Sequence, residues 1–194
     1  ALDQEGLQRA LLRLTPMVGG LAQLLGSKME GNLEPTLFWL QERLLLDDAG
    51  VIKMGKKFPL FLGLSLESHK EKMTWLQKRL VLDDKSLSKL VKKLPSVLGL
   101  SIENNLEPKL VWLNETLGLD VKGISKLVKT PPSVLCLSIE DNLEPKLAWL
   151  KERLSLDDRS LSKLVRRWPS GLGFDIQNNL EPTLAWLQER LSLD

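Results

Sequence analysis

The chain of 194 residues contains one cysteine, one histidine and no tyrosine, and aromatic residues make up only 5% of it. A single cysteine, Cys136, excludes an internal disulfide framework and cannot build a structural zinc site. The lone histidine, His69, has no second histidine or cysteine with which to form a ligand set or a dyad. There is no glycine-rich phosphate loop and no recurring acid–base pair, so neither catalysis nor a bound cofactor is expected. No apolar run approaches the roughly 20 residues that cross a bilayer, which removes the membrane as a partner. The opening ALDQEGLQRALLRL has neither a signal-peptide apolar core nor a small-residue cleavage site, so a mature or trimmed soluble region is expected. A net charge of +2 is too small to imply a nucleic-acid partner by itself. The distribution of the charge has to decide.

What the sequence does have is a period. Trp39, Trp75, Trp112, Trp149 and Trp186 lie 36, 37, 37 and 37 residues apart, and Pro59, Pro95, Pro132 and Pro169 each follow a tryptophan by 20 residues. The tetrapeptide NLEP begins at Asn32, Asn105, Asn142 and Asn179, and in the second unit it is shortened to HKEK from His69. A fixed period of this length marks stacked structural repeats. An irregular first unit of about 1–47 and regular units of about 48–83, 84–120, 121–157 and 158–194 together make one domain of repeats. In the first unit the stretch PMVGGLAQLLGSKMEG carries six more residues between its proline and its NLEP than the other units have, and the close at LSLD falls in mid-period, as in an excerpt of a longer array.

Each unit reads as two helices. Leu87, Leu90, Val91 and Leu94 follow the i, i+3, i+4, i+7 pattern of one helix face. Asp84 can accept from the first free N–H groups, and Pro95 ends this helix of about ten residues because it has no donor and no room for a preceding turn. A second stripe of Leu106, Leu110, Leu113 and Leu117 defines a longer helix, with Asn105 suited to its N-cap and Pro108 tolerable in the first turn. Between the two, PSVLGLSIE has room for a short 3₁₀ piece started by the proline. Helices this short are marginal alone and must bury their stripes against neighbouring repeats. The expected fold is an all-α solenoid superhelix of about five 37-residue repeats.

The order of helix ending in Pro, then x-x-Leu, then NLxPK and Trp-Leu-x-x-x-Leu, as in LPSVLGLSIENNLEPKLVWLNETLGL, resembles the motif of the mitochondrial transcription termination factor (mTERF) family. The resemblance covers units two to five well and the first unit loosely. These units are more alike than the commonly divergent repeats of that family. The resemblance implies a nucleic-acid-binding protein of organelles, mitochondrion or chloroplast, acting in transcription termination, RNA processing or ribosome biogenesis.

The charges add a reading of their own. The four first-helix segments, 49–59, 85–95, 122–132 and 159–169, hold 14 of the 27 cations and none of the 25 acids. With Leu87 at 0°, Lys89, Lys92 and Lys93 fall at about 200°, 140° and 240°, away from the apolar face. The same offsets hold Lys53, Lys56 and Lys57, then Lys126 and Lys129, then Lys163, Arg166 and Arg167, with Thr130 the one vacancy. Stacking should align these eleven cations into one basic stripe suited to phosphate contacts on DNA or RNA, and Ser86, Ser88, Ser160 and Ser162 would add secondary hydrogen bonds. The bland counter-reading is that cations late in a helix complement its dipole and keep the surface soluble. An alternative function is a protein-binding scaffold whose basic groove takes an acidic or amphipathic partner segment. The tryptophan column reads as packing between repeats, with Trp168 and Phe58 in the core. The pairs Asp47–Asp48, Asp83–Asp84 and Asp157–Asp158 read as caps rather than metal ligands, and Cys136 as a small, half-buried residue in a glycine column.

Overall fold

The computed structural model describes residues 28–129 and 132–191. The irregular opening of the first unit, Thr130 and residues 192–194 lie outside the described residues. Nine α-helices, and no strand, occur among the described residues. They are α1 (Lys28–Leu44), α2 (Asp48–Lys57), α3 (Leu66–Arg79), α4 (Asp84–Lys93), α5 (Glu107–Leu117), α6 (Val121–Lys129), α7 (Glu144–Arg153), α8 (Asp158–Arg167) and α9 (Glu181–Leu191). The fold is an all-α array of helical repeats of the solenoid class. The chain divides into two compact units, residues 1–107 and 108–194.

The short helices α2, α4, α6 and α8 start in one way. In each, an aspartate just outside the helix accepts from the N–H three residues on: Asp47 from Gly50, Asp83 from Ser86, Asp120 from Gly123 and Asp157 from Ser160, at 2.7–2.8 Å. The expected cap, Asp84, is corrected to Asp83. Asp84 lies inside the first turn, where a carboxylate still favours the positive end of the helix dipole. Each of these helices stops at a proline that opens a 3₁₀ turn, Pro59–Gly63, Pro95–Gly99, Pro132–Cys136 and Pro169–Gly173. In α4 the buried side chains are Leu87, Ser88, Leu90 and Val91. A fully buried Leu or Val of this kind contributes about 1.5–3 kcal/mol.

The longer helices begin earlier than the sequence implied. Ser101, not Asn105, caps the third of them, its Oγ accepting from Asn104 N at 3.1 Å. Ser138 and Asp175 do the same in later repeats. From Ser101 the chain enters a π-turn, Ile102–Leu106, that runs directly into α5, and Ile139–Leu143 and Ile176–Leu180 repeat it. The wide turn follows from residue count. From cap to tryptophan is 11 residues in these units but 10 from Ser65 to Trp75, and the extra residue is absorbed as i→i+5 bonding. Leu106 N donates to Ser101 O and Leu143 N to Ser138 O, whereas in α3 His69 N reaches Ser65 O by an ordinary i→i+4 bond.

These helices end in a Schellman-type turn, shown by the six-residue bonds Leu46 N to Gln41 O, Leu82 N to Gln77 O and Leu156 N to Lys151 O. The left-handed residue of that turn is Leu45 (φ 52°), Val81 (φ 49°), Gly118 (φ 57°) or Ser155 (φ 49°). Glycine is at ease there, while an L-residue gives up about 1–2 kcal/mol. Leu45 and Val81 recover none of it by packing, being 83% and 73% exposed.

Candidate nucleic-acid interface

In the first compact unit, residues 1–107, four segments line an open groove of about 1190 Å³: α1, the turn that follows it, α2 and α4. Lys53 and Lys57 project from α2, and Lys85, Lys89, Lys92 and Lys93 from α4, with Trp39, Leu45, Leu46 and Met54 supplying apolar surface. The acids at its edge are Glu42, Asp47 and Asp84. Asp47 is engaged by Gly50 N, and Asp84 accepts from Arg43 at 2.8 Å and Gln77 at 2.7 Å. Those two bonds, with the Arg43 charge, hold the Asp84 carboxyl below the usual range. In the second unit one hollow of about 260 Å³ is lined by Lys122, Lys126 and Arg166, and another of about 500 Å³ by Arg159, Lys163 and Arg166. Asp158 beside the latter is paired with Lys151 at 2.6 Å.

Of the eleven cations expected from sequence, Lys53, Lys57, Lys89, Lys92 and Lys93 therefore come together in the first unit, and Lys126, Lys163 and Arg166 line the hollows of the second. Lys56, Lys129 and Arg167 are exposed but stand outside these linings. Among the described residues, no ion pair involves any of the eleven. Two have a second task. Lys92 Nζ donates to Leu45 O at 3.0 Å and Arg166 to Gly118 O at 2.7 Å, each reaching the free carbonyl end of an earlier helix. A lysine keeps two further donors and an arginine four, so a phosphate can still be met. Lys85, Lys122 and Arg159 were missed by the column argument. Their signal was present as the leading cation of KSLSKLVKK, KGISKLVK and RSLSKLVRR, one turn before the residues chosen.

Several side chains are spent on holding repeats together. Ser88 is buried, and its Oγ donates to Leu44 O at 2.7 Å, while Ser162 does likewise to Leu117 O. Both hydroxyls thus donate to the carbonyl ends of earlier helices, from positions that line the grooves. Three lysines of the NLEPK register are buried as well: Lys72 donates to Leu100 O, Lys109 to Leu135 O at 2.6 Å and Lys146 to Leu172 O at 2.8 Å. Burial pushes all three below the usual lysine range, against opposing pulls from Glu71, from Cys136 and Glu140, and from Asp175 respectively. Arg79 forms a forked pair with Glu107, and Arg153 meets Glu181 at 3.1 Å. Where Thr116 replaces that arginine, Trp112 Nε1 donates to the corresponding Glu144 at 3.2 Å.

Three readings of single residues change. Trp168 is not core: it is 37% exposed and lies over Gly171, where any Cβ would come within 2.4 Å of its ring. Phe58 is half-buried, its ring tip against Gly99. Cys136 is exposed. His69 occupies the register of Leu106 and is wholly buried, with Nε2 at 3.0 Å from Phe61 O and Nδ1 lacking a partner. Burial pushes its pKa down, and the Phe61 carbonyl opposes only in part. Among the described residues no cluster of three or more His, Cys, Asp or Glu could hold a metal ion, and no helix is long and apolar enough to cross a membrane.

Short capped helices, proline-started 3₁₀ turns and cations gathered on the first helix of each repeat define a helical-repeat protein with basic grooves. The mTERF family model matches residues 8–155 and again 111–194. The chain belongs to the mTERF family, whose members are nucleic-acid-binding helical-repeat proteins, generally organellar and not known as enzymes. No curated protein matches it.

Proposed function

We propose that this protein binds DNA or RNA through the basic grooves of its two units, by contacts to phosphates, in the service of organellar gene expression. The observation that carries the reading is the groove of the first unit. Six lysines line it, and two of the three acids at its edge are already held by other partners. Phosphate contacts would come from Lys53, Lys56, Lys57, Lys89, Lys92 and Lys93 in the first unit. In the second they would come from Lys126, Lys129, Lys163, Arg166 and Arg167. Counterion release then supplies most of the free energy. Lysine and arginine at the same offset in each repeat position a backbone without reading a base code. Membership of a nucleic-acid-binding family supports the same ligand. The test is a salt titration of affinity for labelled single- and double-stranded DNA and RNA. With several phosphates neutralised, log Kd should change with log salt at a slope of about 4 or more. A slope near zero, with tight binding to an acidic peptide instead, would mean that the grooves serve a protein partner.

A further inference from the structure

Leu45 combines three properties that packing does not explain. It holds a left-handed backbone at φ 52°, it is 83% exposed, and it lines the basic groove of the first unit. Glycine is the residue that this turn favours, and glycine stands at the same register in the second unit, as Gly118. The backbone at Leu45 is also held in place, since Lys92 Nζ donates to its carbonyl. A large apolar side chain thus stands largely in solvent, among lysines, at a conformational cost that its slight burial does not return.

We propose that Leu45 contacts the face of an unstacked nucleobase while the surrounding lysines hold the adjoining phosphates, so that the first unit prefers single-stranded or locally unpaired nucleic acid. This rests on the nucleic-acid reading above and extends it from backbone to base. A base within a duplex offers only its edges to a protein, whereas an unpaired base offers an apolar face, and aliphatic wedges are known to insert at unstacked steps. Charge complementarity selects the polyanion, with Lys53, Lys57, Lys85, Lys89 and Lys93 lining the groove that Leu45 also lines. In the second unit, Gly118 leaves the corresponding hollow with phosphate contacts alone.

The experiment compares the parent chain with Leu45→Gly and Leu45→Ala, using anisotropy of labelled single-stranded and duplex oligonucleotides and the fluorescence of a 2-aminopurine placed within the strand. Leu45→Gly should melt at a higher temperature because the strain is gone. It should nevertheless bind single strands about fivefold more weakly, as for partial loss of a buried leucine contact. Leu45→Ala keeps the backbone constraint and should lose the same affinity. Neither variant should change the salt slope, and both should blunt the 2-aminopurine response. Parent-like affinity in both variants overturns the base contact, as does a parent that prefers duplex and leaves 2-aminopurine unchanged. A parent that binds no polynucleotide removes the proposed function and this contact together, whereas binding indifferent to Leu45 removes the contact alone.

Discussion

Replacing Lys109 by methionine tests whether buried lysines clamp one repeat to the next. The side chain is 2% exposed, and its Nζ donates at 2.6 Å to the carbonyl of Leu135, itself wholly buried. Methionine keeps the length and apolar stem but removes a charge-assisted hydrogen bond worth about 1.5–3 kcal/mol. It also leaves the Leu135 carbonyl short of a partner. In the other direction, the substitution relieves the desolvation that pushes the Lys109 pKa down. The loss should prevail because the buried Leu135 carbonyl gives up its charged donor and methionine offers none in its place, and the net expectation is a destabilisation of about 1–2 kcal/mol. In a chain of this size that lowers Tm by about 2–8 °C, readable by circular dichroism or calorimetry. Lys93→Met, at an exposed position, should change stability by less than about 0.5 kcal/mol and serves as control. If Lys109→Met were as stable as the parent, or more so, the clamp would contribute nothing and the buried ammonium would be a tolerated burden.

His69→Leu restores the leucine of the other repeats and removes a buried Nδ1 without a partner, so Tm should rise by several degrees, equivalent to about 1–2 kcal/mol. The pH dependence has a definite sign. Because burial depresses the folded-state pKa of His69 below its ordinary 6.5, protonation favours the unfolded chain. That contribution is complete above pH 6.5 and falls away as the pH drops towards the folded value, by at most about 1.4 kcal/mol per unit. His69→Leu should flatten this limb in urea titrations at pH 5–7, and an unchanged limb would assign it to other groups. Asp83→Ala removes the cap of α4 and should cost about 1 kcal/mol, measured as a shift in the urea midpoint.

Much of this architecture was legible because it repeats. The spacing of tryptophans and prolines gave the units, and the i, i+3, i+4 stripe of Leu87, Leu90 and Val91 gave α4, since burial of one face is what makes so short a helix stable. Cap positions were less secure. Asp83 and Asp84 differ by one residue and by no chemistry, so only the backbone angles of the folded chain decide which carboxylate faces the free N–H of Ser86. The π-turns had a signal in the 11-residue interval from Ser101 to Trp112, one more than from Ser65 to Trp75. The buried lysines were opaque for a physical reason. Lysine is seldom buried, and the carbonyl that makes burial of Lys109 tolerable belongs to Leu135, 26 residues away. For the basic surface, charge segregation identified the helices and their outward faces. It could not show that Lys92 and Arg166 also cap carbonyls, or that Lys85 turns into the groove.

The most direct measurement compares two sets of four substitutions with the same change in net charge. Lys53, Lys57, Lys89 and Lys93 line the first unit's groove, whereas Lys28, Lys70, Lys78 and Arg190 lie on the second helices of the repeats. All eight are changed to glutamine, four in each protein, and both proteins are titrated with the same oligonucleotide across a range of salt. The groove set should weaken binding by at least about tenfold and lower the salt slope by about 2–4, while the other set leaves both near the parent values. Equal losses from the two sets would mean that net charge alone attracts the nucleic acid and that the grooves have no special part in holding it.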